Sequence, residues 1–223
     1  MKISLVSFVV GIAILVTSCD EVENLLNDTD DGKITAKEKL VEVVNTARTD
    51  FAADAMLAAI YGREVDTNGE IDLLKTNSFN AFVYTMQSDA LQRNEFYVPV
   101  FGAGPVKSPI NFDTMLSFVK NTNAKNVLSD VFGSLSTISI DPAANYSDSP
   151  EAISILLQRI DVTTFRTINP ASNIDMFLVP GKSIDSASIV NSADWIVNFY
   201  GDSTSLVLWI NSSSGVVKNI AEL

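Results

Sequence analysis

Residues 193–217 read ADWIVNFYGDSTSLVLWINSSSGVV, and this stretch decides the fold that we expect for the chain. In each of its two apolar runs the large side chains fall into two alternating sets, for example Trp195 and Val197 in one set and Ile196 in the other. This period of two is typical of β-strands, because successive side chains point to opposite faces of a sheet. The sequence therefore predicts an antiparallel hairpin of 193–200 with 205–211, followed by a turn at Gly215.

An earlier stretch has the same layout. FNAFVYTMQSDA, which begins at Phe79, and EFYVPVFGAGPV, which begins at Glu95, are aromatic and β-branched runs, and a Gly-rich turn and a valine close the second. They predict a second hairpin, of 79–86 with 95–101. The two similar layouts suggest a diverged duplication, and the alternative is a chance resemblance of two hairpins.

The remaining segments complete a repeated α-β-β-β order. Thr35 followed by Glu38 fits a capping box at the start of the first helix. Apolar spacing and turn signals predict helices over 36–51, 111–121, 124–132 and 149–160, and strands over 55–64, 135–141 and within NIDMFLVPG.

We therefore expect an α+β fold with two halves, 35–107 and 108–223, each an antiparallel sheet covered by a helix, since a lone hairpin is at best marginally stable in water. The expected cover of the first sheet is Leu40, Val43, Val44 and Ala47, and that of the second is Ile153, Leu156, Leu157 and Ile160.

The 193–217 region resembles the end of the PepSY domain. In that family a strand with an aromatic residue is followed by a turn and a second strand. The second strand ends in Asn or Asp, and small residues, a glycine and a short valine-rich strand come after it. The first half departs from the pattern, because Phe79 and Phe82 replace the tryptophan and a proline follows Gly104. The resemblance implies a small α+β binding or inhibitory module, not an enzyme. It is carried by Trp195, Val197, Leu206, Val207, Ile210, Asn211, Gly215 and Val216.

The first 19 residues predict the location of the protein. Lys2 is the only charge before Asp20, and an apolar run ends in Val-Thr-Ser-Cys at Cys19. This ending resembles the bacterial lipobox, whose cysteine receives the lipid, and the run is shorter than the roughly 20 residues of a membrane span. The alternative is a buried cysteine in an anchor helix. We expect residues 1–18 to be a signal peptide, 19–34 an acidic tether, and the exported protein to be lipid-anchored in the cell envelope, at the outer membrane.

Composition excludes several kinds of chemistry. The formal net charge is −12, which argues against a nucleic-acid partner because phosphates require Lys and Arg. The chain has no histidine and only one cysteine, which excludes disulfides within the chain, histidine-bearing catalytic triads and structural zinc sites. We assign no cofactor and no catalytic residue, and expect the protein not to be an enzyme.

Residues 27–38 match much of an EF-hand calcium loop. Asn27, Thr29, Asp31 and Glu38 occupy ligand positions, with Gly32 at the sharp turn. Asn in place of Asp at the first position lowers the charge, and the neighbouring stretch 64–75 ends in lysine instead of glutamate. We therefore expect an acidic tether that ends in a capping box, with calcium binding as the alternative.

Two further patterns could indicate either a functional site or ordinary structure. Ser117 and Lys120 have the Ser-x-x-Lys spacing of penicillin-binding enzymes, but the companion motifs are absent, so we expect a solvated helix face. The strand aromatics are expected in the core, with a sugar- or peptide-binding platform as the alternative. They are Phe79, Phe82, Tyr84, Phe96, Tyr97, Trp195, Phe199 and Trp209.

Two functions follow from these features. The first is a non-enzymatic, lipid-anchored envelope lipoprotein that binds or inhibits a protein or peptide partner, which would require an exposed sheet edge or an apolar groove. The second is an accessory surface lipoprotein that captures a glycan or another nutrient on exposed, coplanar aromatic rings.

Overall fold

The computed structural model describes residues 32–75, 80–181, 193–212 and 214–220. Within these ranges no helix is long and apolar enough to cross a membrane. The strands are β1 (Lys33–Ile34), β2 (Met56–Gly62), β3 (Ile71–Asp72), β4 (Phe82–Ser88), β5 (Arg93–Val100), β6 (Ala103–Lys107), β7 (Asn173–Pro180), β8 (Ala193–Tyr200), β9 (Ser205–Ile210) and β10 (Val217–Asn219). The helices are α1 (Leu40–Asp50), α2 (Phe112–Phe118), α3 (Thr122–Ser134), α4 (Ser149–Leu157) and α5 (Ile160–Ile168).

The predicted α+β class is confirmed, and eight strands form one antiparallel sheet. Their order is β10-β9-β8-β7-β2-β4-β5-β6, while β1 and β3 pair separately. Two four-stranded meanders, β2-β4-β5-β6 and β7-β8-β9-β10, lie side by side where β2 pairs with β7. Helix α1 precedes the first meander, and α4 and α5 precede the second. The order of helix and then meander therefore occurs twice, within a single continuous sheet.

Both predicted hairpins are present. β4 pairs with β5 with Tyr84 opposite Tyr97, and β8 pairs with β9 with Ile196 opposite Trp209. Phe79, at the start of the first predicted hairpin, lies outside the described residues. The turn at Gly215 is confirmed: its φ of +69° lies in the left-handed region, which glycine adopts without a steric clash.

Helices α1, α4 and α5 cover the first face of the sheet, which carries Tyr84, Met176, Trp195 and Leu208. Most of the helix residues that were predicted to cover the sheet do so. Apolar residues at helical spacing lie on one side of a helix, and that side faces the sheet here. Val43, Ala47, Ile153 and Leu156 are fully buried there, and Leu40, Val44 and Leu157 are partly buried against the same core.

The prediction for Ile160 is wrong, because its side chain is 84% exposed. Helix α4 ends at Leu157, and Arg159 adopts an extended backbone with φ −81° and ψ 141°. Ile160 therefore begins a new helix, α5, which the sequence analysis did not predict. The apolar spacing of α4 does not continue through the break, so Ile160 leaves the buried face.

Helices α2 and α3, which lie between the two meanders in the chain, cover the second face of the sheet. This face carries Tyr61, Phe177 and Trp209. Phe132 of α3 stacks on Phe112 of α2 with ring centroids 4.6 Å apart and also contacts Phe177. The central strands are therefore buried on both faces, whereas the predicted hairpins required only one covered face.

A polar network joins the start of α1 to the start of α4. The Asp148 carboxylate accepts hydrogen bonds from the Thr35 hydroxyl (2.7 Å), the Lys37 N–H (3.0 Å) and the Ser149 N–H (2.7 Å). The Ser149 hydroxyl accepts from the Ala36 N–H at 3.0 Å. This network links residues of the two predicted halves directly.

Several predicted boundaries differ from the structure. The helix predicted over 36–51 begins as α-helix only at Leu40, whereas α4 begins at Ser149 as predicted, with Asp148 as its cap. The strand predicted over 135–141 is wrong: the segment forms no strand, and the Ile140 N–H makes one bond to the Leu57 carbonyl, at 2.7 Å. Residues 135–138 instead continue the turn at the end of α3, since the N–H groups of Thr137 and Ile138 both bond to the Ser134 carbonyl, and the remaining residues are too few for a ladder. Lys33 and Ile34, assigned to the tether, form β1.

Candidate functional site

The predicted lipidation site and most of the EF-hand candidates lie outside the described residues. These are Cys19, Asn27, Thr29 and Asp31. Glu38 is described, and its carboxylate accepts the Thr35 N–H at 3.3 Å, which is one half of a capping box. The predicted box does not cap α1, because the Thr35 hydroxyl donates to Asp148 and the N-cap residue of α1 is Lys39. In the described part of the chain no group of three or more His, Cys, Asp or Glu residues could hold a metal ion.

In the neighbouring acidic loop, 64–75, two carboxylates form ion pairs with a lysine. The Lys33 ammonium lies 3.2 Å from the Asp66 carboxylate and 3.4 Å from that of Glu70. Asp66 also accepts the Glu70 N–H, at 3.0 Å. The cation that these two carboxylates contact is therefore a lysine side chain of the same protein.

The Ser-x-x-Lys pair is not arranged as a nucleophile and base on one helix. The Ser117 hydroxyl donates to the Thr114 carbonyl at 2.6 Å, and α2 ends at Phe118, before Lys120. The serine hydroxyl therefore hydrogen-bonds to its own helix backbone.

The described strand aromatics lie in or against the core, as expected, whereas Phe79 lies outside the described residues. Phe96 is half-buried and packs edge-on against Phe112 at 4.9 Å. These rings are therefore not available as a flat binding platform. The fully or almost fully buried ones are Phe82, Tyr84, Tyr97, Trp195, Phe199 and Trp209.

An apolar groove, which we call the α1 groove, runs between α1 and residues 140–146. Its cavity volume is about 300 Å³. Leu57, Ile140 and Tyr146, all almost fully buried, line it, and Val41 of α1 stands on its rim with 72% of its surface exposed. The segment predicted as a strand over 135–141 thus contributes a wall of the groove. An apolar concavity of this kind is the default ligand site of a protein surface.

The polar groups of the α1 groove stand at its rim. Asn45 and Arg48 come from the exposed side of α1, and Asp141 comes from the facing segment. The Arg48 Nε donates to the Ala55 carbonyl at 3.3 Å, just before β2 begins. The Asp141 carboxylate accepts the Ala143 N–H at 2.7 Å. Both charged side chains are thus held in place by backbone groups.

The two edges of the large sheet are poor templates for an incoming strand. β6 contains Pro105, which has no N–H to donate, and β10 is only three residues long. Proline and short length are common protections of edge strands. Peptide binding would require either an exposed sheet edge or an apolar groove. The α1 groove meets this requirement better than either edge of the large sheet.

A second cluster of interest surrounds a buried carboxylate on the second face. Asp175, in β7, is fully buried and accepts the Tyr61 hydroxyl (3.3 Å), the Tyr200 hydroxyl (3.2 Å) and the Glu64 N–H (3.1 Å). Arg63 lies nearby, with its guanidinium carbon 3.9 Å from the centre of the Phe118 ring.

Burial raises the pKa of Asp175 to about 6, because removal from water disfavours the charged carboxylate. The Glu64 N–H and the hydroxyls of Tyr200 and Tyr61 oppose this rise by donating to the carboxylate. Burial also raises the pKa of Tyr61 and of Tyr200, with the Asp175 charge as the second cause. A perturbed carboxylate is a common sign of a functional site, but no surface of Asp175 is open to a substrate.

Replacement of Asp175 by asparagine is expected to remove a pH-dependent loss of stability. A folded-state pKa above the ordinary value of 3.8 means that the wild type binds an extra proton when folded, so its stability falls as pH rises through about 6. We expect the free energy of unfolding of D175N, relative to wild type, to rise by about 2 kcal/mol between pH 4 and pH 7. Urea denaturation across this range measures the difference.

The exposed Asp130→Asn variant in α3 is the matched control, and its difference from wild type should not show this rise. If D175N and wild type instead kept a constant stability difference from pH 4 to pH 7, Asp175 would not be the proton-binding group.

Comparison with protein-family models, with curated proteins and with solved structures finds no match for this chain.

Sequence reasoning did not find the α1 groove or the Asp175 cluster. Asp175 had one visible signal, since it is a lone charge within the apolar strand NIDMFLVP. Arg48 had none, because an arginine in the last turn of a helix is also favourable for the helix dipole.

Proposed function

We propose that this chain is an exported, lipid-anchored protein of the bacterial cell envelope that acts by binding an apolar segment of a partner protein. The α1 groove carries the proposal, because it is an apolar concavity that opens from the first-face core to the surface. The lipid on Cys19 would be the contact with the membrane, and the acidic tether would hold the domain off the bilayer.

The size of the groove suits a small part of a partner chain. A volume of about 300 Å³ is at the lower limit of ligand pockets, which range over about 300–1,000 Å³. It has room for one or two large apolar side chains. Recognition of an apolar anchor in a groove is a recurrent mode of peptide binding.

We also infer that the chain is a diverged tandem of two PepSY-like halves. The order of helix and then four-stranded meander, which occurs twice, supports this inference. The resemblance to the PepSY domain comes from β8, β9 and β10. Among the described residues, helices α2 and α3 have no counterpart in the other half, which fits an addition between two copies.

Lipidation of Cys19 is expected to be lost in the Cys19→Ala variant. Cells grown with radioactive palmitate should label the wild-type protein and not the variant, because the thioether to the lipid requires the thiol. Equal labelling of both proteins, or of neither, would contradict the proposed anchor.

Binding in the α1 groove is expected to depend on Val41. Fluorescein-labelled octapeptides with Leu, Phe or Ile at one fixed position serve as probes, with fluorescence anisotropy as the readout. Val41→Asp should raise the Kd of the best peptide by about tenfold, the equivalent of about 1.4 kcal/mol. Since Val41 is 72% exposed, the fold should tolerate the change.

The control for this variant is Val216→Asp, which alters an exposed valine near the β10 edge. Its Kd should equal that of the wild type. The absence of binding to any of the peptides, or equal Kd values for wild type and V41D, would contradict the groove as the site.

A further inference from the structure

Arg48 is oriented at one end of the α1 groove. It lies in the last turn of α1, and its Nε is tied to the Ala55 carbonyl at 3.3 Å. This bond orients the guanidinium, and among the described residues its two terminal nitrogens have no hydrogen-bond acceptor. Paired terminal nitrogens of arginine match the two oxygens of a carboxylate.

No carboxylate of the described part of the chain forms an ion pair with Arg48. The acid that shares the groove, Asp141, accepts the N–H of Ala143 instead. Asn45, one turn before Arg48, is exposed on the same side of α1 and presents an amide beside it. This end of the groove therefore offers a cation and an amide where the rest of the lining is mostly apolar.

The spacing along α1 sets the size of the ligand. Arg48 follows Val41 by seven positions, which corresponds to about 10 Å along a helix that rises about 1.5 Å per residue. An extended peptide spans this distance with about three residues, at about 3.3 Å each. A chain end with apolar side chains near Val41 and Val44 would therefore bring its terminal carboxylate to Arg48.

Charge favours a single carboxylate on a mostly apolar ligand. The chain has a net charge of −12, so acidic ligands are repelled in general. Arg48 places a positive charge within this acidic protein, beside Val44 and the buried Leu57. A ligand with one carboxylate and an apolar body is attracted by both parts of the groove.

We propose that the α1 groove binds the C-terminal end of a partner chain, with its last apolar side chains between α1 and residues 140–146 and its terminal carboxylate on Arg48 and Asn45. This inference rests on the proposed function and names the part of the partner that the groove selects. Capture of a chain terminus by a fixed set of donors is a known mode of peptide recognition.

The test compares two peptides that differ in one group. Both are fluorescein-labelled Gly-Ser-Gly-Ser-Val-Leu, one with a free C-terminal carboxylate and one with a C-terminal amide. We expect the wild-type protein to bind the acid at least tenfold more tightly than the amide. Arg48→Gln should remove this difference by weakening the acid, whereas Arg166→Gln, in α5, should keep it. Decanoate, a fatty-acid carboxylate, should compete less well than the unlabelled acid peptide.

The outcomes separate this inference from the proposed function. If acid and amide bind equally to the wild type, or if R48Q retains the difference, the carboxylate role is overturned while groove binding stands. If decanoate displaces the peptide better than the unlabelled acid peptide does, the ligand is an acyl chain and the inference is overturned. If neither peptide binds, and no octapeptide of the Val41 experiment binds either, both the inference and the proposed function are overturned.

Discussion

Replacement of Leu156 by alanine is expected to lower the free energy of unfolding by about 2–5 kcal/mol, the range for a buried large-to-small change. Leu156 lies in α4, is fully buried, and belongs to the core on the first face together with Ile153 and Trp195. The loss combines the removed apolar surface with a cavity that the sheet beneath cannot close, because strands paired on both sides move little. Chemical denaturation of wild type and variant measures the difference.

Ile160→Ala is the matched control in the adjoining helix. Ile160 is 84% exposed, so its truncation should change the free energy of unfolding by no more than about 0.5 kcal/mol. An unchanged stability of L156A would contradict the packing of α4 on the sheet.

Replacement of Asp148 by alanine is expected to cost about 2–4 kcal/mol of folding free energy. The carboxylate caps α4 and also accepts the Lys37 N–H and the Thr35 hydroxyl. Loss of a helix cap costs about 1 kcal/mol, and bonds to a charged acceptor contribute about 1.5–3 kcal/mol. The starts of α1 and α4 lose their shared acceptor together, so the effect should exceed that of an ordinary cap. Thermal and urea unfolding would measure it.

Asp141→Ala provides the control, since Asp141 accepts one N–H in an irregular segment outside this network. We expect it to cost under about 1 kcal/mol. If D148A and D141A lost the same small amount, the network between the two halves would contribute little to stability. Asp148→Asn, which keeps an oxygen acceptor, should fall between the two.

Local patterns predicted the elements whose signals are repeated along the chain. The hairpin of β8 and β9 and the cover residues of α4 follow from periods of two and 3.6, because one buried face imposes that spacing on the sequence. The failures lie where the pattern is short. Residues 135–141 have β-forming composition, but the first four continue the turn at the end of α3, so only the Ile140 N–H reaches β2.

The candidate site could not be predicted for a related reason. Val41, Arg48 and Ile140 are ordinary residues of a helix and a connecting segment, and they form a groove only because α1 packs beside residues 140–146. Asp175 is informative as a lone charge in an apolar strand. Its environment, with hydroxyls from β2 and β8, is set by strand order.

The sequence by itself determined the α+β class, the two hairpins, the first-face residues of the helices and the absence of histidine and thiol chemistry beyond Cys19. These follow from local periodicity and composition, which need no knowledge of distant neighbours. Only the tertiary structure decided that the two meanders join through β2 and β7, that α2 and α3 close the second face, and that a groove remains beside α1. Each of these depends on which surfaces meet, and contacts between residues far apart in the chain leave no period in its sequence.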